Sequence, residues 1–249
     1  VWGSRARRFG LMHWPMIGDV SPGSPGQLNS SSMLRFQAYA AVAFGAKGLF
    51  WYSWGQAMWQ FEPHPPGPTT IYPVVAEINA RLGRGQWSAA ILQHDWQAVF
   101  ATGWWAEQQQ QQMRTMQDMG TPSCTPSLPE FALQPHAPVA GRLVEAMSDE
   151  LLIGVLTNSA SRTSTAGFVN QSTSPPSTLL VVVDMRVSSG YDAPAARDVI
   201  IQLSAAATSP MRPTILPPGT ESDTGIDFVA ATNSISVSGL RGGDAIGII

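Results

Sequence analysis

The residues of this chain best suited to chemistry are aromatic. Trp14, Trp51, Tyr52, Trp54 and Trp59 all fall at or just past the ends of predicted strands. Each has a broad apolar body and one polar handle, so it can stack on the C–H face of a polyhydroxylated ring whose hydroxyls find fixed partners elsewhere. Alternate side chains of a strand point to opposite faces, which puts Phe50, Tyr52 and Trp54 on one side and Trp51 and Ser53 on the other. Trp54, nearest the rim, is the first candidate for substrate contact. Phe50 and Trp51 are expected to pack core. His13 stands beside Trp14, where an imidazole can face a ligand or bond a backbone carbonyl inside a core, and both readings stay open.

The carboxylates are less informative. Glu62 lies in the loop Gly55 to Thr70, near a cleft if that loop borders one, and otherwise reads as an ordinary solvated loop group. Asp19 follows Pro15 in another loop and reads as a turn cap. No catalytic acid or nucleophile is assigned. The four histidines are scattered without i, i+4 partners and Cys124 is the only cysteine, so the expectation is no metal site, no cofactor and no intrachain disulfide.

The elements that must position these residues begin with Ser32 to Trp54. Ser30, Ser31 and Ser32 are N-cap candidates, because a hydroxyl there accepts from an unpaired N–H of the first turn. Met33 to Phe44 contains neither Pro nor Gly, and Leu34, Ala38, Ala41 and Gly45 form a narrow stripe of small residues that lets a helix lie close to a sheet. Gly45 and Gly48 bracket its stop. The run GLFWYSW then carries no charge and reads as a strand buried on both faces. Tyr72 to Leu82 is the next helix, with Pro73 in its first turn, Val75, Ile78 and Leu82 on one face, and Gly83 and Gly85 as its stop. Glu77 and Arg81 stand four apart and can pair across one turn.

Composition changes after that. Residues 107–138 include the run Gln108 to Gln112 and no periodic apolar face, and read as a low-complexity, mobile insertion. From Arg142 onward the pattern is strand-like: Leu151 to Leu156, Leu179 to Val187, Val199 to Leu203, Phe228 to Ala231, Ile235 to Val237 and Ala245 to Ile249 are short apolar or alternating runs between turn-forming residues. Such spacing predicts an antiparallel sandwich.

The string LRFQAYAAVAFGAKGLFWYSW resembles the segment before and including the last barrel strand of TIM-barrel glycoside hydrolases, the β-galactosidase-like enzymes and their relatives. The residues that carry the likeness are Arg35, Gln37, Tyr39, Gly45, Ala46, Lys47, Gly48, Phe50, Trp51, Tyr52 and Trp54. The stretch TTIYPVVAEINARLG is similar to the final barrel helix of that group. The resemblance implies an α/β plus all-β fold: residues 1–96 as the last two β/α units of a (β/α)8 barrel, and residues 97–249 as a β-sandwich. It also implies a carbohydrate substrate with β-linked sugars, and Trp54, Tyr52, Trp14, His13, Trp59 and Glu62 as candidate substrate contacts. A full barrel needs about 250 residues, so the chain reads as a fragment, inactive alone and prone to self-association. In the resembled enzymes the two catalytic carboxylates end the fourth and seventh strands; the resemblance implies that the fourth strand is absent from this chain, and at the seventh-strand position the sequence is GLMHWPMIGD, with no Glu.

The net charge of −3, with 12% charged residues, speaks against a nucleic-acid partner, which needs clustered Lys and Arg. No apolar run of membrane-spanning length or signal-peptide pattern occurs, so no membrane partner is expected. The start at Val1, in mid-pattern, suggests that the true N-terminus lies upstream. The sequons at Asn29 and Asn170 permit glycosylation if the chain is secreted, and otherwise leave the compartment open. The alternative to a glycosidase fragment is a non-catalytic carbohydrate-binding or structural sandwich module with a helical extension.

Overall fold

The computed structural model describes residues 16–17, 30–51, 59–60, 67–68, 71–103, 144–158, 177–188, 194–203, 214–216 and 225–249. In chain order these form β1 (Met16–Ile17), α1 (Ser31–Ala43), β2 (Phe50–Trp51), β3 (Trp59–Gln60), β4 (Gly67–Pro68), α2 (Tyr72–Leu82), α3 (Gly85–Gln93) and β5 (Asp95–Ala101). The remaining strands are β6 (Val144–Met147), β7 (Leu151–Asn158), β8 (Ser177–Asp184), β9 (Arg197–Leu203), β10 (Ile215–Leu216), β11 (Gly225–Val229), β12 (Ser234–Leu240) and β13 (Ala245–Ile248).

Strand composition explains how the layers stack. The sequences of β7, LLIGVLTN, and β8, STLLVVVD, are apolar almost without interruption, because their sheet is covered on both faces. That sheet has five strands in the order β10-β13-β8-β7-β5, and every pair in it is antiparallel. Leu151, Ile153, Val155, Leu180, Val182, Ile246 and Ile248 turn toward a second sheet, where they meet Val199, Ile201, Ile235 and Val237. Leu152, Leu156, Leu179, Val181 and Val183 turn the other way, against the helices. The second sheet runs β11-β12-β9-β6, also antiparallel throughout. Among the described residues it is covered on one face, and β9 alternates accordingly, with Val199 and Ile201 buried and Ile200 exposed. Each large aliphatic side chain that is fully buried contributes about 1.5–3 kcal/mol.

The helical layer is held close by glycine. In α1 the Ser30 Oγ caps the first turn by accepting from the Met33 N–H at 3.3 Å. The last turn closes with Gly45 at φ +85°, its N–H donating to the Val42 carbonyl and the Ala46 N–H to that of Ala41. Between these caps α1 lies directly on β7. A Cβ at Gly154 would stand 2.6 Å from the Ala43 Cα and nearer still to its carbonyl oxygen. At the C-terminal end a Cβ on Gly45 would stand 2.5 Å from the Trp96 Cβ of β5. Small residues on helix and strand together bring the two backbones into contact.

The expectation of two β/α units of a TIM barrel, with a sandwich after them, is corrected here. The described chain is mostly antiparallel, in two principal sheets with three short helices, and the helices pack on the antiparallel five-stranded sheet rather than on a parallel barrel wall. The stripe on α1 signals close packing against a sheet without saying which sheet. Of the run GLFWYSW, residues 48–51 are described and 52–54 lie outside the described residues; strand pairing within 48–51 is limited to β2, in parallel with β1, and Phe50 there is 57% exposed rather than buried. The stretch 107–138 lies outside the described residues.

Candidate functional site

The helices α1, α2 and α3 meet near the C-terminal end of α1, around a cavity of about 390 Å³. Its walls are mainly aliphatic: Val42 from α1, Leu49 from the chain leading to β2, Leu82 from α2, and Ile91 and Leu92 from α3. Three polar side chains, Lys47, Asn79 and Ser88, also line it. Leu92 is 56% exposed, so one wall is open to solvent.

Trp51 stands beside this cavity. Its indole N–H donates to the Asn79 Oδ1 at 2.9 Å, and the half-buried ring packs against the helical core. Asn79 therefore fixes one edge of an aromatic ring and lines the cavity at the same time. Phe50, the preceding residue, projects into solvent.

Lys47 closes the other side. Its ammonium donates to the carbonyl of Ile91 at 2.5 Å and to that of His94, so it caps the C-terminal end of α3, and the Asp95 carboxylate lies 3.8 Å away. His94 is buried in the same junction. Its Nδ1 is 2.7 Å from the Ala90 carbonyl, which can only accept, so Nδ1 carries the proton and Nε2 accepts from the Ser177 hydroxyl at 2.8 Å. Burial pulls the His94 pKa below its ordinary 6.5, and Lys47 pulls the same way, while the Ala90 bond and Asp95 oppose both.

What sets the pitch of α2, and with it Asn79, is a buried ionic network. Glu77 accepts from Arg35 of α1 at 2.9 Å and from Arg241 at 2.6 Å. Arg241 also reaches Asp244 at 3.0 Å, and Asp244 in turn accepts from Arg81 at 2.6 Å. Arg81 donates to the Tyr39 hydroxyl at 2.8 Å and to the Ala245 carbonyl, with its guanidinium 4.7 Å from the Tyr39 ring and 4.8 Å from that of Trp87. Burial raises the Tyr39 pKa to about 12, with Arg81 acting against the rise. For Arg241 burial favours the neutral form, but Asp244 and Glu77 outweigh it and raise the pKa. A second buried carboxylate, Asp184, is held by Arg186 at 2.6 Å and Arg197 at 3.0 Å. Glu77, Asp184 and Asp244 are thus each clamped by two arginines, an arrangement that fixes elements and leaves no oxygen poised for proton transfer.

The sequence candidates fall unevenly on this geometry. His13, Trp14, Tyr52, Trp54, Glu62 and Asp19 lie outside the described residues. Trp59 is placed by its backbone alone, in β3, paired with Pro68. Trp51, read from sequence as core, is the described aromatic beside the cavity. Asn79, Lys47 and His94 carry the site's polar contacts and were not singled out as ligand groups. Lys47 is legible in sequence only as one of the residues that carry the likeness, and no local spacing marks Asn79 as the partner of an indole 28 residues away. Among the described residues no group of three His, Cys, Asp or Glu side chains forms a metal centre, and no helix is long and apolar enough to cross a membrane. Comparison with protein families, with curated proteins and with solved structures finds no match.

Proposed function

We propose that this chain is a non-catalytic carbohydrate-binding module that holds a β-linked sugar without cleaving it. The observation that carries this reading is the Trp51–Asn79 pair: an aromatic ring fixed at its N–H edge beside a cavity with three polar side chains. A ring that is already oriented loses little freedom when a sugar stacks on it. Hydrolysis would require two carboxylates flanking the sugar; among the described residues the carboxylates nearest the helical core, Glu77 and Asp244, and the buried Asp184 are each committed to arginines and do not form such a pair. The likeness to glycoside hydrolases in residues 34–54 supports a sugar as the ligand class, and a role in a glycosidase-like parent would then be one of binding.

The test is a binding screen against β-linked oligosaccharides and polysaccharides, read by tryptophan fluorescence, alongside an assay with aryl β-glycosides. Binding without turnover is expected, with Trp51→Ala weakening affinity about tenfold, as loss of one aromatic stack predicts. A folded chain that binds none of these ligands, or one that hydrolyses the aryl glycosides, would overturn the reading.

A further inference from the structure

We propose that the cavity between α1, α2 and α3 takes the apolar tail of an amphiphilic glycoside whose sugar ring lies on Trp51. The inference rests on the sugar-binding reading and names the class of ligand more closely. Three observations point to it. The cavity, at about 390 Å³, has the size of a small-molecule site, and its walls are largely the aliphatic side chains of Val42, Leu49, Leu82, Ile91 and Leu92. Stacking alone would not call for such a chamber. Asn79 belongs both to the cavity wall and to the indole contact, so a ligand on Trp51 has the chamber directly beside it. The one charged side chain among the described residues of the cavity wall is already engaged: the Lys47 ammonium donates to the Ile91 and His94 carbonyls with Asp95 at 3.8 Å, which suits an uncharged tail in the cavity rather than a carboxylate or phosphate.

The full chain is titrated calorimetrically with alkyl β-D-glucosides and β-D-galactosides from methyl to octyl, and with the matching alkanols. Affinity is expected to rise about fourfold with each methylene until the cavity is full, then level off. Two variants locate the tail. Leu82→Phe crowds the cavity from α2, and Leu92→Gln changes a wall residue that is exposed enough to leave folding intact. Both should flatten the dependence on chain length while binding of the methyl glycoside is retained. A flat series in the unmodified chain, with the methyl glycoside still bound, would overturn the tail site and leave the sugar reading standing. Alkanols binding as well as the glycosides would overturn the sugar reading and this proposal with it. A dependence on chain length that neither variant changes would place the tail elsewhere and overturn the proposal.

Discussion

Asp244 has no exposed surface and accepts from two arginines, Arg81 of α2 and Arg241 beside it, while the Ala245 N–H donates to the same carboxylate at 2.9 Å. A buried ion pair gives little net stability when complete, because desolvation of the charges offsets their attraction. Removing one partner is different, since it strands the other charge in a low-dielectric interior. Asp244→Asn would leave Arg81 and Arg241 facing one neutral amide, and is predicted to cost about 3–5 kcal/mol in a urea titration. A loss below about 1 kcal/mol would mean that the arginines find solvent. The sequence offers only part of this network. Glu77 and Arg81 stand four apart and read as an ordinary pair on one helix face, whereas each reaches residues 164 and 163 positions away, at Arg241 and Asp244. Local spacing cannot reveal a partner supplied by the far end of the chain.

At the scale of elements, the contact of α1 with β7 depends on Gly154. Gly154→Ala would push a methyl into the Ala43 backbone, which cannot move aside as a flexible side chain would. The expected cost is about 1–3 kcal/mol, measured by thermal unfolding, and an unchanged midpoint would show that α1 is not seated on the strand. The junction of α3, β5 and β8 carries a pH dependence. The His94 pKa lies below its ordinary 6.5, so the unfolded chain binds the proton more readily than the folded one. Its contribution is therefore complete above the ordinary imidazole pKa and is lost as pH falls from there toward the folded value. His94→Gln should reduce the fall in stability between pH 7 and about 5, and equal slopes for the two proteins would contradict the assignment.

The helix boundaries were legible where local chemistry sets them. Tyr72–Leu82 starts at its Pro and ends before Gly83, and Ser30 and Gly45 frame α1 as hydroxyl cap and left-handed stop. The helix α3 was not legible, because Gly85, with φ +69°, reads as a terminator in sequence but opens the next helix. Periodicity and caps describe one element. The mate of a small-residue stripe is a long-range fact, and here it is an antiparallel sheet. In the candidate site, the aromatic cluster was visible as composition. Its division into exposed Phe50 and anchored Trp51 depends on Asn79, which nothing nearby in sequence announces.

For the whole molecule, helices and sheets are interdependent. The face of the five-stranded sheet formed by Leu152, Leu156, Leu179, Val181 and Val183 is buried against α1, α2 and α3. A chain of residues 97–249, cut at the boundary expected from sequence, would expose that face and lose Asp95 and Trp96 from the start of β5. It is predicted to aggregate or to bind a hydrophobic dye strongly, and a soluble fragment with cooperative unfolding would contradict the shared core. The same interdependence makes the candidate site a product of both sheets and the helices, because Asn79 is held by α2, α2 is tied to the β12–β13 turn by Arg81 and Asp244, and that turn is fixed by both sheets. The most direct measurement is the nuclear magnetic resonance signal of the Trp51 indole N–H, assigned by its loss in Trp51→Phe, during titration of the chain with a methyl β-glycoside. Sugar binding at the anchored ring predicts a saturable shift of that resonance, with the buried indole of Trp87 unmoved. A Trp51 signal that stays in place, while the sugar binds elsewhere or not at all, would contradict the account.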